Sequence, residues 1–503
     1  MRYENKDRFA GFKRGLLLLL LLAGTLYIGY RFYLFYPDKA QIPAGSTMAG
    51  LDISLMSVEE AMAAVTERYA QPIAVQHQAG VVELTPESVG FKLDSAAMQL
   101  ELEAYLNSRE LWQSFVQDLL EDVWPMPVMP AKIELLATHD PALLEQMVAS
   151  IGSYLDVPAQ NPHIIPVSLQ VAEGSDGYRT DVTASLEEVT AAFYSPTNRQ
   201  ATLKVTPEVA EAPSIELLKQ YIETQIANFS GSGSFYLLDL QTGDEILVNA
   251  DRAMSGTSTV KIAIILETYR AQESLDFDQR KLISETLTLS GNYSANLLLD
   301  VVAGQDNAYL GSDILTESLW NLGLVNTFIA TPYEEPARSN RPTYITPANS
   351  IPYEDMTIDP AMQTTAEDIG TLLSMIYHCA NGGGALLAMY PEQLTPQECQ
   401  EEISYLTMNA EGNWLLRDGL PPDTVLAHKH GWIDGDVGYY GTHSDAGIIF
   451  SPGGDFVLVG YLYDEGWLDW LVTGPIMRNI TRAAYNYFNP DAPFILDEAT
   501  SGN

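Results

Sequence analysis

Residues 253–265 read AMSGTSTVKIAII, and they place Ser258 where a loop runs into an apolar helix. If Ser258 opens this helix, its hydroxyl lies beside the amine of Lys261, because residues three apart are neighbours on a helical surface. A serine hydroxyl becomes an effective nucleophile when a base removes its proton, and lysine can act as that base when burial keeps it neutral. The surrounding isoleucines leave the helix no polar face, so the stretch predicts a serine nucleophile with a buried lysine base.

Length and composition limit what the rest of the chain can be. The chain has 503 residues, which is too many for a single hydrophobic core, so several domains are expected. Its hydrophobic fraction of 46% indicates folded domains rather than disorder. The formal net charge of −40 argues against a nucleic-acid partner, because phosphate binding requires a basic face. Two cysteines and seven histidines, without an H-E-x-x-H or a paired C-x-x-C motif, predict no metal site and no cofactor.

The N-terminus has the pattern of a membrane anchor. Residues 1–14 hold five Lys or Arg against two acidic residues and form a basic tail. Residues 15–36 are almost uncharged and contain six aromatic residues, so they predict a transmembrane helix with the tail in the cytoplasm and the rest of the chain outside. A cleavable signal peptide is the alternative, but no clear small-x-small site follows the leucines, which favours a single-pass anchor in the cell membrane.

Two similar blocks follow, at residues 40–124 and 131–208, on either side of the proline-rich segment 125–130. Each block combines glycine-containing turns, an amphipathic helix and strand-like segments, and Ser57 with Glu60 predicts a capping box at one helix start. The pattern resembles the peptidoglycan-binding domains found beside VanW-type and L,D-transpeptidase modules of bacterial envelope proteins. The resemblance implies two small α+β modules that bind peptidoglycan, and a plain α+β spacer is the alternative.

Residues 212–490 contain the motifs that carry chemistry. A predicted helix and a hairpin with DLQTG at residues 239–243 precede Ser258. Two further motifs follow in order, Ser290-Gly291-Asn292 and Lys429-His430-Gly431. Only four lysines occur from residue 212 onward, and two of them are Lys261 and Lys429. A lysine at both positions is therefore difficult to attribute to chance.

This order of motifs resembles the class A β-lactamases and the related penicillin-binding serine hydrolases. The resemblance implies an α/β domain, of the α+β type, with an antiparallel sheet and a helical lobe, followed by a tail at residues 491–503. It implies a β-lactam or D-alanyl-D-alanine-like substrate. It also assigns roles to five side chains: nucleophile Ser258, base Lys261, proton relay Ser290, substrate-holding Asn292 and the positive charge of Lys429. The implied oxyanion hole consists of the backbone N–H groups of Ser258 and Trp432, and the implied substrate contacts are His430 and Gly431.

Three positions depart from the family pattern or match it poorly. Gly291 replaces an aspartate of the second motif, which removes a structural hydrogen bond. His430 replaces a threonine of the third motif, and either a pH-sensitive ligand or a surface residue of an edge strand is expected there. Glu334 is the candidate base for the water that cleaves the acyl-enzyme, although an exposed loop charge is the favoured interpretation. Without a placed glutamate, deacylation is expected to be slow.

Three functions are compatible with these observations. The first is a β-lactam hydrolase, the second is a D-alanyl-D-alanine peptidase or another peptidoglycan-remodelling enzyme, and the third is a non-catalytic scaffold that binds the cell wall. The scaffold is the weakest of the three, because all five catalytic side chains are present. Outside the site, Cys379 and Cys399 are expected to form a disulfide in an oxidising extracytoplasmic compartment.

Overall fold

The computed structural model describes residues 7–38, 41–120, 124, 129–351, 356–409, 414–433, 441–466 and 468–496. Parts of the predicted segments therefore lie outside the described residues. These parts are 1–6 of the basic tail, 40 and 121–123 of the first block, 125–128 of the proline-rich segment, 352–355, 410–413, 434–440 and 467 of the domain at 212–490, and 497–503 of the C-terminal tail. The chain divides into two units. The N-terminal unit contains residues 1–160 and 175–210, and the C-terminal unit contains residues 161–174 and 211–503.

The helices, in chain order, are α1 (Asp7–Asp38), α2 (Val58–Ala70), α3 (Ser95–Ser108), α4 (Leu111–Leu120), α5 (Pro141–Leu155), α6 (Val182–Tyr194), α7 (Ile215–Ala227), α8 (Lys261–Ala271), α9 (Phe277–Thr288), α10 (Asn292–Ala303), α11 (Ala308–Asn321), α12 (Ala366–Ala380), α13 (Gly384–Met389), α14 (Pro396–Thr407) and α15 (Trp470–Phe488). Short 3-10 helices lie at Pro86–Val89 and Leu416–Gly419. The strands are β1 (Thr47–Met48), β2 (Leu51–Asp52), β3 (Ile73–His77), β4 (Gly80–Leu84), β5 (Lys92–Leu93), β6 (Lys132–Ile133), β7 (Ala137–Thr138), β8 (His163–Ile164), β9 (Val171–Ala172), β10 (Gly177–Thr180), β11 (Gln200–Thr202), β12 (Val205–Glu208), β13 (Ser232–Asp239), β14 (Glu245–Val248), β15 (Met254–Ser255), β16 (Phe328–Ile329), β17 (Met362–Thr364), β18 (Val425–Ile433), β19 (Gly441–Phe450) and β20 (Phe456–Asp464).

The N-terminal unit begins with α1, whose residues 12–36 are long and apolar enough to cross a membrane. Among the described residues it is the one helix that meets this criterion, and a signal sequence would meet it too. The C-terminal part of α1 packs against α4, because the ring of Phe115 contacts both Phe32 and Phe35. The predicted membrane helix is therefore joined to the folded part of its unit by side-chain packing.

The two blocks predicted as separate modules share one core. Strand β11 of the second block pairs in parallel with β3 of the first, and β6 pairs in parallel with β1. Their buried side chains form a single cluster, which includes Ile53, Met98, Val148 and Phe193. The structure thus joins segments 40–124 and 131–208 into one unit, because the apolar face of each block covers that of the other. Residues 161–174 leave this unit and belong to the C-terminal one.

Local sequence explains where helices of this unit begin. At the start of α2, the Glu60 N–H donates to Ser57 Oγ at 3.2 Å, and the Ser57 N–H donates to Glu60 Oε2 at 2.8 Å. This reciprocal arrangement confirms the predicted capping box. At the start of α5, the Asp140 carboxylate accepts from two backbone N–H groups and Pro141 occupies the first helical turn, where no N–H is needed.

The C-terminal unit is built on a five-stranded antiparallel sheet of order β14-β13-β20-β19-β18. Side chains alternate between its faces. Phe235 and Leu237 lie in one cluster with side chains of α7 and α15, whereas Tyr236 lies in another with side chains of α12. Because helices cover both faces, β19 and β20 are buried along nearly their whole length. The predicted antiparallel sheet with flanking helices is confirmed.

Helix α8 runs through the larger of these two clusters. Its residues from Lys261 to Tyr269 are all buried, which confirms the predicted helix without a polar face. Helices α9, α10 and α11 form the helical lobe and contribute side chains to the same cluster. Helix α8, which carries the candidate base Lys261, is therefore enclosed by packed side chains.

A disulfide between Cys379 and Cys399 joins α12 to α14, with 5.9 Å between the two Cα atoms.

Candidate active site

Ser258 lies in a turn that precedes α8 rather than in the helix itself. The helix begins at Lys261, and the Lys261 N–H donates to the Ser258 carbonyl oxygen at 3.3 Å. The predicted helix start differs from the observed one by three residues, because the chain first makes this tighter turn. The spacing still brings the two side chains together, since Ser258 Oγ lies 3.0 Å from Lys261 Nζ.

The amine of Lys261 is fully enclosed, and no part of the side chain is exposed. Its Nζ lies 2.6 Å from the Ser290 carbonyl oxygen, 2.7 Å from Asn292 Oδ1 and 4.5 Å from the centre of the Tyr333 ring. Both oxygens can only accept hydrogen bonds. A neutral amine would donate its two protons to them, which leaves its lone pair for the hydroxyl of Ser258.

The charge state of Lys261 follows from this environment. Burial lowers its pKa to about 6; the positive charge of Lys429 also lowers the pKa, and the Glu334 carboxylate raises it. An amine with this pKa is mostly neutral at pH 7 and can accept a proton. The structure thus supplies the buried, neutral lysine that the apolar helix predicts.

Ser290 completes a triangle of polar atoms with Ser258 and Lys261. Its Oγ lies 2.9 Å from Ser258 Oγ and 3.4 Å from Lys261 Nζ. The next residue explains a departure from the family motif, because a Cβ added at Gly291 would lie 2.4 Å from Ser294 Oγ. An aspartate at this position would require the Ser294 side chain to move. Glycine avoids this clash because it has no Cβ.

Three residues of the site have left-handed backbone conformations. The φ angles of Thr257, Ser290 and Glu334 are 49°, 56° and 59°. Side-chain-bearing residues rarely adopt these values, and each such residue costs on the order of 1–3 kcal/mol. Their concentration around Ser258 marks a place where the surrounding fold imposes the backbone geometry.

Strand β18 approaches the Ser258 turn closely. A Cβ added at Gly431 would lie 2.5 Å from the Ser258 nitrogen and 2.4 Å from Thr257 Oγ1, so the contact requires glycine. Ser444 on the neighbouring strand ties the two segments together. Its Oγ lies 2.8 Å from Thr257 Oγ1 and donates to the Gly431 carbonyl oxygen at 2.9 Å. Because β18 is the edge strand of the described sheet, its outer side is available to the site.

The third motif places two buried side chains on β18. Lys429 Nζ donates to the His430 carbonyl oxygen at 2.9 Å. The His430 ring stacks on Trp432 with 5.2 Å between ring centres, and its Nδ1 lies 3.0 Å from Asn409 Nδ2. Burial, aided by the charge of Lys429, lowers the pKa of His430 to about 3, so the ring is neutral near pH 7.

Both sequence-based alternatives for His430 are therefore corrected. The ring is not a surface group, because it is fully buried, and it does not titrate near neutral pH. Substrate contact by His430 and Gly431 stays a prediction, as does the oxyanion role of the Ser258 and Trp432 N–H groups. Trp432 is 38% exposed, which leaves its ring accessible beside the Ser258 turn.

Glu334 reaches the site. Its Oε1 accepts a hydrogen bond from Asn292 Nδ2 at 2.8 Å, while the residue as a whole is exposed to solvent. Asn292 thus bridges Lys261 and Glu334, and the carboxylate, which can only accept, determines which way the amide points. The favoured interpretation of Glu334 as a loop charge is right about its exposure but misses this contact. The rate of deacylation stays a prediction.

Two positioning residues escape the sequence analysis. Asn296 holds the backbone of Tyr333, accepting from its N–H at 3.0 Å and donating to its carbonyl oxygen at 2.8 Å. The Tyr333 hydroxyl donates to the Thr257 carbonyl oxygen at 2.9 Å. Asn296 could have been found, because it lies one helical turn after Asn292 on the same face of α10. No comparable spacing in the sequence points to Tyr333.

Fold and site together define the class of serine β-lactamase-like proteins. Within that class, the model of the beta-lactamase enzyme family matches residues 217–280 and 271–488. The match covers more than half of the chain, so the chain belongs to this family. It concerns the C-terminal unit, and the resemblance of residues 40–208 to VanW-associated peptidoglycan-binding domains stays a prediction.

Solved structures of similar fold include three with low sequence identity. PBP-A is 19% identical, with a TM-score of 0.40 over 54% of this chain and 96% of PBP-A. The ancestral class A β-lactamase GNCA is 20% identical, with a TM-score of 0.39 over 53% of this chain and 98% of GNCA. The TLA-3 extended-spectrum β-lactamase is 18% identical, with a TM-score of 0.42 over 55% of this chain and 99% of TLA-3. No curated protein matches the sequence.

Proposed function

We propose that the C-terminal unit is a serine hydrolase that forms an acyl-enzyme on Ser258 with a β-lactam or a related peptide amide. One observation carries the proposal: the enclosed Lys261 amine lies 3.0 Å from Ser258 Oγ, and Ser290 Oγ lies 2.9 Å from the same oxygen. Nucleophile, base and relay are in mutual contact, which is the arrangement that activates a serine. Membership in the beta-lactamase enzyme family supports the same reaction type.

Acylation begins when the hydroxyl proton of Ser258 moves to the lone pair of Lys261. The Ser258 oxygen bonds to the amide carbonyl carbon, and the carbonyl oxygen takes up negative charge, which the backbone N–H groups of Ser258 and Trp432 stabilise. As the carbon–nitrogen bond breaks, the leaving nitrogen takes the proton of Ser290. The proton held by Lys261 then returns to the Ser290 oxygen. The positive charge of Lys429 favours binding of an anionic substrate beside Ser258.

Deacylation requires a water molecule that is activated beside the ester. Glu334 is the proposed base, since its carboxylate is exposed to solvent and bonded to Asn292 within the site. The carboxylate takes a proton from water as the water oxygen bonds to the ester carbon. As the bond between this carbon and the Ser258 oxygen breaks, the proton passes from the carboxyl group to the Ser258 oxygen, which restores both residues. This step favours a β-lactam hydrolase over an enzyme that retains its acyl group.

A D-alanyl-D-alanine peptidase is the second candidate. Its support is the same contact of Ser258 with Lys261 and Ser290, which would also acylate a peptide amide. The threonine hydroxyl that His430 replaces would contact a substrate carboxylate, and both a β-lactam and a D-alanyl-D-alanine peptide carry one, so this replacement does not separate the two candidates. Peptidoglycan binding by the N-terminal unit would fit either candidate and rests on the resemblance alone. A non-catalytic scaffold would not need a nucleophile, a base and a relay in contact.

We further propose that α1 is a retained membrane anchor, with residues 1–14 in the cytoplasm and the catalytic unit outside. The support is structural, because Phe115 is 2% exposed and Phe35 is 7% exposed where α1 and α4 meet. Cleavage of α1 would expose this apolar contact to water. The order of basic tail and apolar helix supports the orientation.

The first experiment is intact-mass spectrometry of the detergent-solubilised full-length chain after brief exposure to benzylpenicillin. We expect an adduct that Ser258→Ala abolishes, because no other hydroxyl contacts both Lys261 and Ser290 among the described residues. Ser274→Ala is the matched control, since Ser274 is exposed and lies on a loop away from these contacts. An adduct that survives in Ser258→Ala would contradict the assignment of the nucleophile.

Glu334→Gln tests the deacylation step in the same assay. We expect the adduct to last on the order of 100-fold longer in this variant, because the amide cannot take a proton from water and a general base typically contributes about 10²–10⁴-fold. Glu335→Gln is the matched control, since Glu335 is the adjacent exposed carboxylate. Equal adduct lifetimes in both variants would remove Glu334 from the mechanism. Release of D-alanine from a D-alanyl-D-alanine peptide, without β-lactam turnover, would favour the peptidase.

A further inference from the structure

Helix α4 carries an exposed apolar stripe that the rest of the described chain does not cover. Trp112, Val116 and Leu120 are 66%, 45% and 38% exposed and lie four residues apart. Trp124 follows Leu120 by four residues, is 71% exposed, and donates its N–H to the Leu120 carbonyl oxygen. Residues four apart lie on one face of a helix, so these side chains form a single line, called here the α4 stripe.

The side of α4 next to the stripe packs against α1, and Trp112 at the edge of the stripe stacks on Phe32 with 5.7 Å between the ring centres. Phe115 packs edge-on against Phe32, with 5.1 Å between the ring centres. Beside this contact, Arg31 Nη2 lies 3.2 Å from Asp118 Oδ2 and donates to the Asp118 carbonyl oxygen at 3.1 Å. Aromatic and polar contacts thus fix α4 to one short segment of the proposed membrane helix.

The length of α1 places that segment at the membrane surface. Lys13 and Arg14 close the basic tail, and Phe32 follows Lys13 by 19 residues. At about 1.5 Å of rise per residue, this distance is about 29 Å, close to the roughly 30 Å of a hydrocarbon core. If the basic residues lie at the inner surface, Phe32 and the helix packed on it lie at the outer surface.

We infer that the α4 stripe inserts into the outer surface of the lipid bilayer that α1 crosses, so that α4 is an interfacial helix. The inference rests on the proposed anchor. Tryptophan suits this position, since its ring is apolar and its N–H can reach the headgroup region. Attraction is apolar rather than ionic, because α4 contains no Lys or Arg and its one acidic residue, Asp118, is paired with Arg31. The N-terminal unit is thereby held against the membrane at two places.

The test uses full-length protein in phosphatidylcholine vesicles with a nitroxide spin label at Val116→Cys. The native cysteines are joined in a disulfide and do not take up the label. Val81→Cys is the matched control, an exposed valine on β4, and Leu20→Cys reports whether α1 lies in the bilayer. Leu120→Cys repeats the measurement at a second stripe position. Collision with oxygen reports contact with lipid, and collision with a water-soluble nickel chelate reports contact with water.

We expect labels at 116 and 120 to collide more with oxygen than with the nickel chelate, and the label at 81 to do the reverse. Adding anionic lipid should not change this result. Preference for the chelate at 116 and 120, with position 20 in lipid, would overturn the inference and leave the anchor standing. Position 20 in water would overturn both. Shielding of 116 and 120 from both reagents would show a protein on the stripe instead of lipid.

Discussion

At the residue scale, the site depends on the charge of one amine. Lys261 is enclosed, and the two oxygens nearest to it, from Ser290 and Asn292, carry no full charge. The nearest full charges act in opposite directions on its pKa, since Lys429 lowers it and Glu334 raises it. The pKa of the amine therefore depends on two charged groups, Lys429 and Glu334, that come from other parts of the chain.

This environment predicts the pH dependence of acylation. Because the neutral form of Lys261 is the base and its pKa is about 6, the second-order rate constant for acylation should rise with pH through about 6 and level off above it. Lys429→Met should move the midpoint upward, because it removes a positive charge. Glu334→Gln should move it downward, because it removes a negative one. Stopped-flow fluorescence with a labelled penicillin would measure each profile.

The two shifts have opposite signs, which separates them from a general loss of activity. Glu335→Gln serves as the control and should leave the midpoint in place, since Glu335 has no part in lowering or raising this pKa. A rate that does not vary between pH 5 and 8, or shifts of the same sign in both variants, would rule out Lys261 as the titrating base.

At the element scale, α14 contains a buried carboxyl group, that of Glu402, which destabilises the packed helix. The inner face of the helix carries Cys399, Glu402 and Leu406, which are 1%, 0% and 0% exposed. Neither carboxyl oxygen of Glu402 has a hydrogen-bond partner among the described residues. Burial raises the pKa of Glu402 well above its ordinary value of 4.5, because the apolar surroundings disfavour the charged carboxylate.

We expect Glu402→Met to stabilise the fold by about 1–3 kcal/mol, because it replaces an unpartnered buried polar group by an apolar one. The gain should be larger at pH 8 than at pH 5. A carboxyl with a raised pKa in the folded state favours folding at low pH, and that contribution is lost as pH rises above the unfolded value of 4.5. Urea unfolding at both pH values would measure the difference.

The neighbouring glutamate provides the control for this substitution. Glu401 is partly exposed and paired with Arg280, so Glu401→Met should give no gain and a small loss at most. If Glu402→Met destabilised the protein equally at pH 5 and pH 8, Glu402 would have a partner that the structure does not place beside it. The disulfide from Cys399 to α12 is left intact in both variants.

At the scale of the whole molecule, the N-terminal unit combines the long apolar helix α1 with a folded body. The contact of Phe115 with Phe32 and Phe35 makes α1 part of that body. A signal peptide that is removed after export has no reason to pack in this way. The same contact argues for an anchor that stays on the protein.

We therefore expect the membrane-extracted protein to retain residues 1–36, measured by its intact mass. Protease added outside intact cells should digest the chain from about residue 37 onward, because the basic tail precedes the apolar helix. Phe115→Ser is a useful companion variant. It should lower the stability of the unit by about 3–5 kcal/mol through loss of a buried ring but leave the orientation unchanged. A mature N-terminus within or beyond residues 15–36 would contradict retention.

Much of the fold and part of the site could be predicted from sequence because the signals are local. The capping box at Ser57, the apolar run of α8 and the hairpin with its turn at residues 239–243 depend on residues within a few positions of each other. The contact of Ser258 with Lys261 follows from a spacing of three, and it survives even though the helix begins later than predicted. Motif order then indicated the family.

Tertiary structure alone decided the rest, because it concerns residues that are far apart in sequence. The order of segments could not show that the blocks at 40–124 and 131–208 share a core, since alternative strand pairings satisfy the same pattern. Nor could it place the Glu334 carboxylate on Asn292 or bury His430 between its neighbours. The sequence by itself determined which groups could do the chemistry. Packing decided their pKa values and contacts, because burial and long-range charge exist only once the chain is folded.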